Sequence, residues 1–109
     1  MVAWWGTPIE ARSAFARLVR EGALSGADRT RAVKRLNQLR RSWDEVQPSE
    51  KARALAEELP DDYGVRAADA VQLAAALVWC RERPRKRLFI CFDQDLAKAA
   101  STAGFTVLQ

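Results

Sequence analysis

Histidine is absent from this chain, and its absence excludes much of the chemistry a small enzyme could perform. Without imidazole there is no Ser-His or Cys-His couple, no His-ligated zinc and no general base that titrates naturally near neutral pH. Cysteine is scarce as well. Cys80 and Cys91 stand singly in apolar surroundings, without metal-ligand spacing or a disulfide framework, and read as buried thiols of a reducing compartment. No G-x-S-x-G, P-loop or G-x-G-x-x-G occurs. The longest apolar run is broken by Asp69 and Gln72 and falls short of the roughly 18–20 residues of a membrane span. The opening MVAWWGTPIEAR lacks the basic start and apolar stretch of a signal peptide. These absences point to a cytoplasmic protein with no membrane partner. Any catalysis falls to carboxylates, working through a hard cation.

What is present is a chain of 109 residues and 12.2 kDa with 49% hydrophobic residues, enough for one small domain with a core. Lys and Arg number 18 against 14 Asp and Glu, a balance of +4 that favours a polyanionic partner without requiring one. Val2–Trp5 is β-prone and stops at Gly6. Thr7-Pro8-Ile9-Glu10 then reads as a capping box with Thr7 as N-cap, Pro8 at N1 and Glu10 at N3, opening a helix that runs to Glu21. A second, basic amphipathic helix is expected from Ser25 to about Trp43, burying Ala32, Val33, Leu36 and Leu39. A strand fragment at Val46 follows. Pro48-Ser49-Glu50 opens a third helix ending near Leu59-Pro60, and Asp61–Gly64 reads as a turn. From Arg66 a helix carries apolar residues on every side, as if buried against a sheet. Arg81–Arg87 is a charge cluster around Pro84. Leu88–Phe92 has the composition of a buried strand, Gln94–Ala103 of a helix, and Phe105–Leu108 of a last strand. This alternation, with wholly apolar strands, predicts an α/β class fold, a three-layer α/β/α sandwich on a parallel sheet. Function in such sheets collects beyond the carboxyl ends of the strands.

Asp93 stands at such an end, Glu10 starts the helix that follows another strand, and Asp69 lies at a further helix start. Eleven of the fourteen residues Ala67–Cys80 are Ala, Val, Leu or Trp, yet Asp69 sits among them. An acid in the first turn of a helix gains ~0.3–1 kcal/mol from the helix dipole, whereas burying an unpaired carboxylate costs several kcal/mol. Arg66, three residues earlier, offers one partner. Glu10 is explained by the capping box alone, and Asp93 by N-capping the Gln94–Ala103 helix, with Asp95 in its first turn. Each acid alone is weak evidence. Together they form a candidate oxygen-ligand set for Mg²⁺ or Mn²⁺ acting at a phosphoryl centre.

Val65-Arg66-Ala67-Ala68-Asp69-Ala70 with Gln72-Leu73-Ala74 resembles the L-R-x-x-D-A-x-x-L-A helix of PIN-domain proteins. Phe92-Asp93-Gln94-Asp95-Leu96 with Ala99-Ala100 and Gly104 resembles their F-D-x-x-L-x-x-A-A-x-x-G ending, and Thr7-Pro8-Ile9-Glu10 is similar to the start of a family helix that carries a Glu. Within that family the likeness is to VapC-type toxins of bacterial toxin–antitoxin pairs. The resemblance implies one PIN-like domain over residues 1–109, with a five-stranded parallel sheet. It also implies a Mg²⁺- or Mn²⁺-dependent endoribonuclease in which Glu10, Asp69 and Asp93 are the metal and catalytic carboxylates and Asp95 is accessory. A cognate antitoxin, an RNA substrate and a homodimer are the partners it implies. The basic second helix and Arg81–Arg87 are then either RNA-facing surfaces or solvated faces. The family's first central strand, which ends in an Asp, has no counterpart here, so the resemblance implies an N-terminally truncated domain that would have to borrow a strand. A noncatalytic module that binds antitoxin or RNA is the alternative, and a plain helical interaction protein a third reading.

Overall fold

The computed structural model describes residues 1–91 and 93–108. Phe92, the expected end of a strand and the first residue of the F-D motif, lies outside them, as does Gln109. The elements run β1 (Val2–Trp4), α1 (Thr7–Arg20), α2 (Gly26–Arg40), β2 (Asp44–Val46), α3 (Glu50–Tyr63), α4 (Ala67–Trp79), β3 (Leu88–Ile90), α5 (Gln94–Ala103) and β4 (Thr106–Leu108). Their order is the one the sequence predicts. Their assembly is not, because the chain is mainly helical and its strands pair two by two, β1 with β2 and β3 with β4. The expected three-layer α/β/α sandwich on one parallel sheet is therefore overturned.

The physical reason is visible in β3. A strand covered on both faces buries consecutive residues, but here only Phe89 is buried while Leu88 and Ile90 are each 62% exposed. Strands of three residues joined in pairs give too little surface for a helix layer on either side. In the parallel β3–β4 pair, Leu88 faces Thr106, Phe89 faces Val107 and Ile90 faces Leu108.

The chain divides into two compact units, Met1–Glu45 and Val46–Gln109. In the first, α1 packs on α2. The helix start differs from the expected capping box. Gly6 is the N-cap, without a side-chain cap bond, and its carbonyl accepts from the N–H groups of both Ile9 and Glu10 at 3.1 Å. Thr7 is thereby already inside the helix. A glycine is required at position 6 because a Cβ there would lie 2.5 Å from the Trp4 indole nitrogen. By contrast α2 has a full capping box between Ser25 and Asp28 and buries Leu36.

In the second unit, Ser49 caps α3 by accepting from the Ala52 N–H, and the helix continues through Pro60 to Tyr63 rather than ending there. Proline forfeits one backbone bond, while the extra turn lets Tyr63 pack on the core. Gly64, at φ +69, closes the helix in the left-handed region. The core gathers Leu59, Val65, Leu73, Phe89, Leu96 and Phe105 with small residues of α4 and α5. Phe89 and Phe105 meet with ring centroids 5.4 Å apart. The apolar α4 is packed chiefly against α3, not against a sheet. Its Ala70, Leu73, Ala74 and Ala75 are buried, and small alanines let the two helices approach closely.

Candidate carboxylate site

Asp69 occupies the third position of α4. Arg66 is the N-cap, in extended conformation at φ −80, ψ 167, and caps through no side-chain bond. Its carbonyl accepts from the Ala70 N–H at 2.8 Å, and its own N–H donates to the Asp69 carboxylate. The acid thus takes the place of a capping-box Glu, satisfying an end N–H of the helix. Even so, burial pushes the Asp69 carboxyl above the usual carboxylate range, and the charge of Asp93 raises it further. Arg66 pulls it back down, Asp95 adds to the rise, and the Arg66 N–H bond lowers it. Desolvation wins, as expected where a carboxylate stands half-buried beside like charges.

Asp93 is the N-cap of α5, as the sequence predicts. Its Oδ1 accepts from the Leu96 N–H at 2.9 Å, and Asp95 lies in the same first turn. Both aspartates come from the stretch just after β3, and Asp69 comes from the start of α4. The second unit therefore brings together acids 24 residues apart in sequence, close enough for Asp69 to feel Asp93 and Asp95.

Cys91 belongs to the same neighbourhood. Its buried Sγ lies 3.8 Å from the Asp93 carbonyl, and burial raises its thiol, with Asp93 and then Asp69 adding to the effect. The sequence marks Cys91 only as a core thiol. Its position two residues before Asp93, at the end of an apolar run, is the one local signal of a second association. A thiol held protonated this way is a poor nucleophile and a poor metal ligand.

Glu10 lies in the first unit, in the first turn of α1. Among the described residues, no group of three or more His, Cys, Asp or Glu gathers that could hold a metal ion. What the second unit offers is a set of oxygen donors whose mutual repulsion a cation would relieve. Asp69 and Asp93 fit a hard divalent ion in donor type and charge, with remaining positions available to water. No helix among the described residues is long and apolar enough to cross a membrane. No family model matches the chain, and no curated protein or solved structure matches it.

Proposed function

We propose that this chain acts on RNA as a Mg²⁺- or Mn²⁺-dependent endoribonuclease of the PIN and VapC toxin type, with Asp69 and Asp93 at its centre. The observation that carries the reading is the placement of Asp69 in the first turn of α4, within electrostatic reach of Asp93 and Asp95 at the start of α5. Like charges within electrostatic reach of one another repel, and a bound cation would relieve that repulsion. Asp69 and Asp93 would hold the ion. When bound, it would position water and neutralise charge at a phosphodiester. Arg66, beside Asp69, offsets part of the rise that burial and Asp93 impose on that carboxyl. Glu10 remains a proposed third carboxylate on the strength of the motif resemblance alone. The same reading gives the chain a cytoplasmic place, a small antitoxin as neutralising partner and a homodimeric state.

A labelled single-stranded RNA incubated with the purified chain tests this reading. Cleavage should appear with Mg²⁺ or Mn²⁺, vanish in excess EDTA, and fall at least about a hundredfold in Asp69→Asn, the scale of removing a group that stabilises charge in the transition state. Undiminished cleavage in EDTA would sink the proposal.

One observation favours a second reading, a module that binds RNA or antitoxin without turnover. Asp69 feels the charges of Asp93 and Asp95, yet no group of three or more potential metal-ligating side chains forms among the described residues. Stable RNA binding with no product at any metal concentration would establish it.

A further inference from the structure

The second unit is uncharged overall, with nine Lys or Arg against nine Asp or Glu, but its charges are sorted along α4. Asp69 lies at the N-terminal end, with Asp93 and Asp95 within electrostatic reach. Directly past the C-terminal end, Arg81–Arg87 packs five cations into seven residues. Ten residues of helix separate Asp69 from Trp79, roughly 15 Å of axis.

This basic segment is built, not slack. Arg81, Glu82 and Lys86 hold φ of 55, 58 and 65, the left-handed region that side-chain-bearing residues seldom adopt. The backbone is tied by Glu82 N–H to the Leu77 carbonyl at 2.7 Å, Arg83 N–H to the Cys80 carbonyl at 3.1 Å and Arg87 N–H to the Pro84 carbonyl at 2.9 Å. Glu82 pairs with Lys51 on α3 at 3.3 Å. Pro84 sits so near Gly104 that a Cβ there would come within 3.0 Å of its ring. Yet Arg81, Arg83, Arg85 and Lys86 are all exposed, with no ion-pair partner among the described residues. Beside them Trp79 is 45% exposed, with the Arg87 guanidinium carbon 5.1 Å from its ring centroid.

Cations without ion pairs on a backbone-tied turn, beside a half-exposed indole with Arg87 over its ring, suit a ligand that has both negative charge and flat aromatic surface. Single-stranded nucleic acid has both. An acidic protein would use the cations and leave the indole idle. We propose that Trp79 and the Arg81–Arg87 turn form a single-strand nucleic-acid subsite, a base stacking on Trp79 and phosphates meeting Arg83, Arg85 and Lys86. The rival surface is on α2, where Thr30, Lys34, Asn37, Gln38 and Arg41 line a groove of about 310 Å³. It offers charge and hydrogen bonds but no aromatic ring. The subsite stands apart from the carboxylate chemistry, and its test is read in EDTA, so either proposal can fail without the other.

Fluorescence anisotropy of a labelled RNA of about 12 nucleotides and mixed sequence, a length within the span of known single-strand sites, is titrated with the full chain across a salt series. Trp79→Leu should weaken binding by about fivefold or more, and Trp79→Tyr should restore most of it, since any aromatic face supports stacking. Arg83→Gln with Arg85→Gln should flatten the slope of log affinity against log salt by about 1.4, at ~0.7 for each phosphate no longer neutralised. Circular dichroism melts confirm that the variants are folded. Three results would overturn the proposal: no RNA binding by the parent chain, affinity unchanged in Trp79→Leu with an oligoglutamate of equal length bound equally well, or binding abolished only by Lys34→Glu with Arg41→Glu on α2.

Discussion

The two units of this chain divide its physical resources unequally. Met1–Glu45 holds nine Lys or Arg against five Asp or Glu, so it carries the whole +4 of the protein, while Val46–Gln109 is balanced. Burial runs the other way. The first unit buries Leu36 as its one large aliphatic side chain and Pro8 at the start of α1. In the second, thirteen buried residues among those described form one cluster drawn from α3, α4, β3, α5 and the segments that adjoin them. Helix signals are equally good in both, since Ser25 and Ser49 each cap a helix by accepting a backbone N–H. Local signals thus specify elements, whereas the apolar surface left to bury decides how firmly they are held. Asp69, Asp93 and Asp95 all lie in the well-packed unit, where a firm scaffold can hold repelling charges within reach of one another.

Removing core side chains should have the largest effect. Leu73 is fully buried, and Leu73→Ala should destabilise the second unit by about 2–5 kcal/mol in urea unfolding. Leu36→Ala in the first unit should cost less, because its 7% exposed side chain has fewer buried neighbours to leave around a cavity. Equal losses would mean that burial does not separate the units. Native-state hydrogen exchange should agree, with α1 and α2 amides exchanging at lower protection than those of α4.

Two glycines share a backbone demand and differ in surroundings, so they separate the units on a smaller scale. Gly22 ends α1 at φ +79 with nothing within 4 Å of a would-be Cβ, and Gly104 ends α5 at φ +115 against Pro84. Gly22→Ala should cost about 1 kcal/mol for the left-handed backbone alone. Gly104→Ala should cost more, about 2 kcal/mol, since the Pro84 ring must also move. Thermal melts of the two variants give the difference, and identical shifts would remove the packing contribution.

Element order was legible in the sequence because its signals are local: Ser25, Ser49, Asp93 and Gly104 start or stop helices where the residue types say they should. Strand partnership was not legible. Leu88 and Ile90 are apolar enough for a doubly covered strand, and only the absence of covering helices leaves them exposed. The helix through Pro60 was hidden for a similar reason, since the packing of Tyr63 on the core is something a local rule about proline does not weigh. At the candidate site, the roles of Asp93 as a cap and Arg66 as a partner of Asp69 were readable from spacing. The nearness of Asp69 to Asp93 followed only from the motif resemblance, since spacing alone says nothing about acids 24 residues apart. Cys91 was read as core because its apolar run is a local signal, whereas Asp69 reaches it only through the fold.

The smallest expected effect separates the units by sign. Asp28, in the first unit, is held below its ordinary value of 3.8 by the Ser25 backbone N–H, then the Ser25 hydroxyl, with Arg31 contributing. Its folded state binds protons less readily than the unfolded chain. The stability it adds is present above the unfolded value and is lost as pH falls through the lower folded one. Asp69 does the opposite. Its folded carboxyl is raised by burial and by Asp93, so the charged form is penalised above that raised value, and the penalty is relieved as pH falls towards 3.8. Acidification should therefore weaken the first unit through Asp28 while strengthening the second through Asp69. Residue-resolved hydrogen exchange at a series of pH values measures each unit separately. Asp69→Asn should abolish the gain in the second unit and raise its stability slightly near neutrality. Asp93→Asn should reduce the gain while keeping the cap on the Leu96 N–H, because asparagine caps about as well as aspartate. Millimolar Mg²⁺ should cancel the penalty in the parent chain and do nothing for Asp69→Asn. A second unit whose protection falls with acid in parallel with the first would mean that the carboxylates do not repel one another in the folded chain.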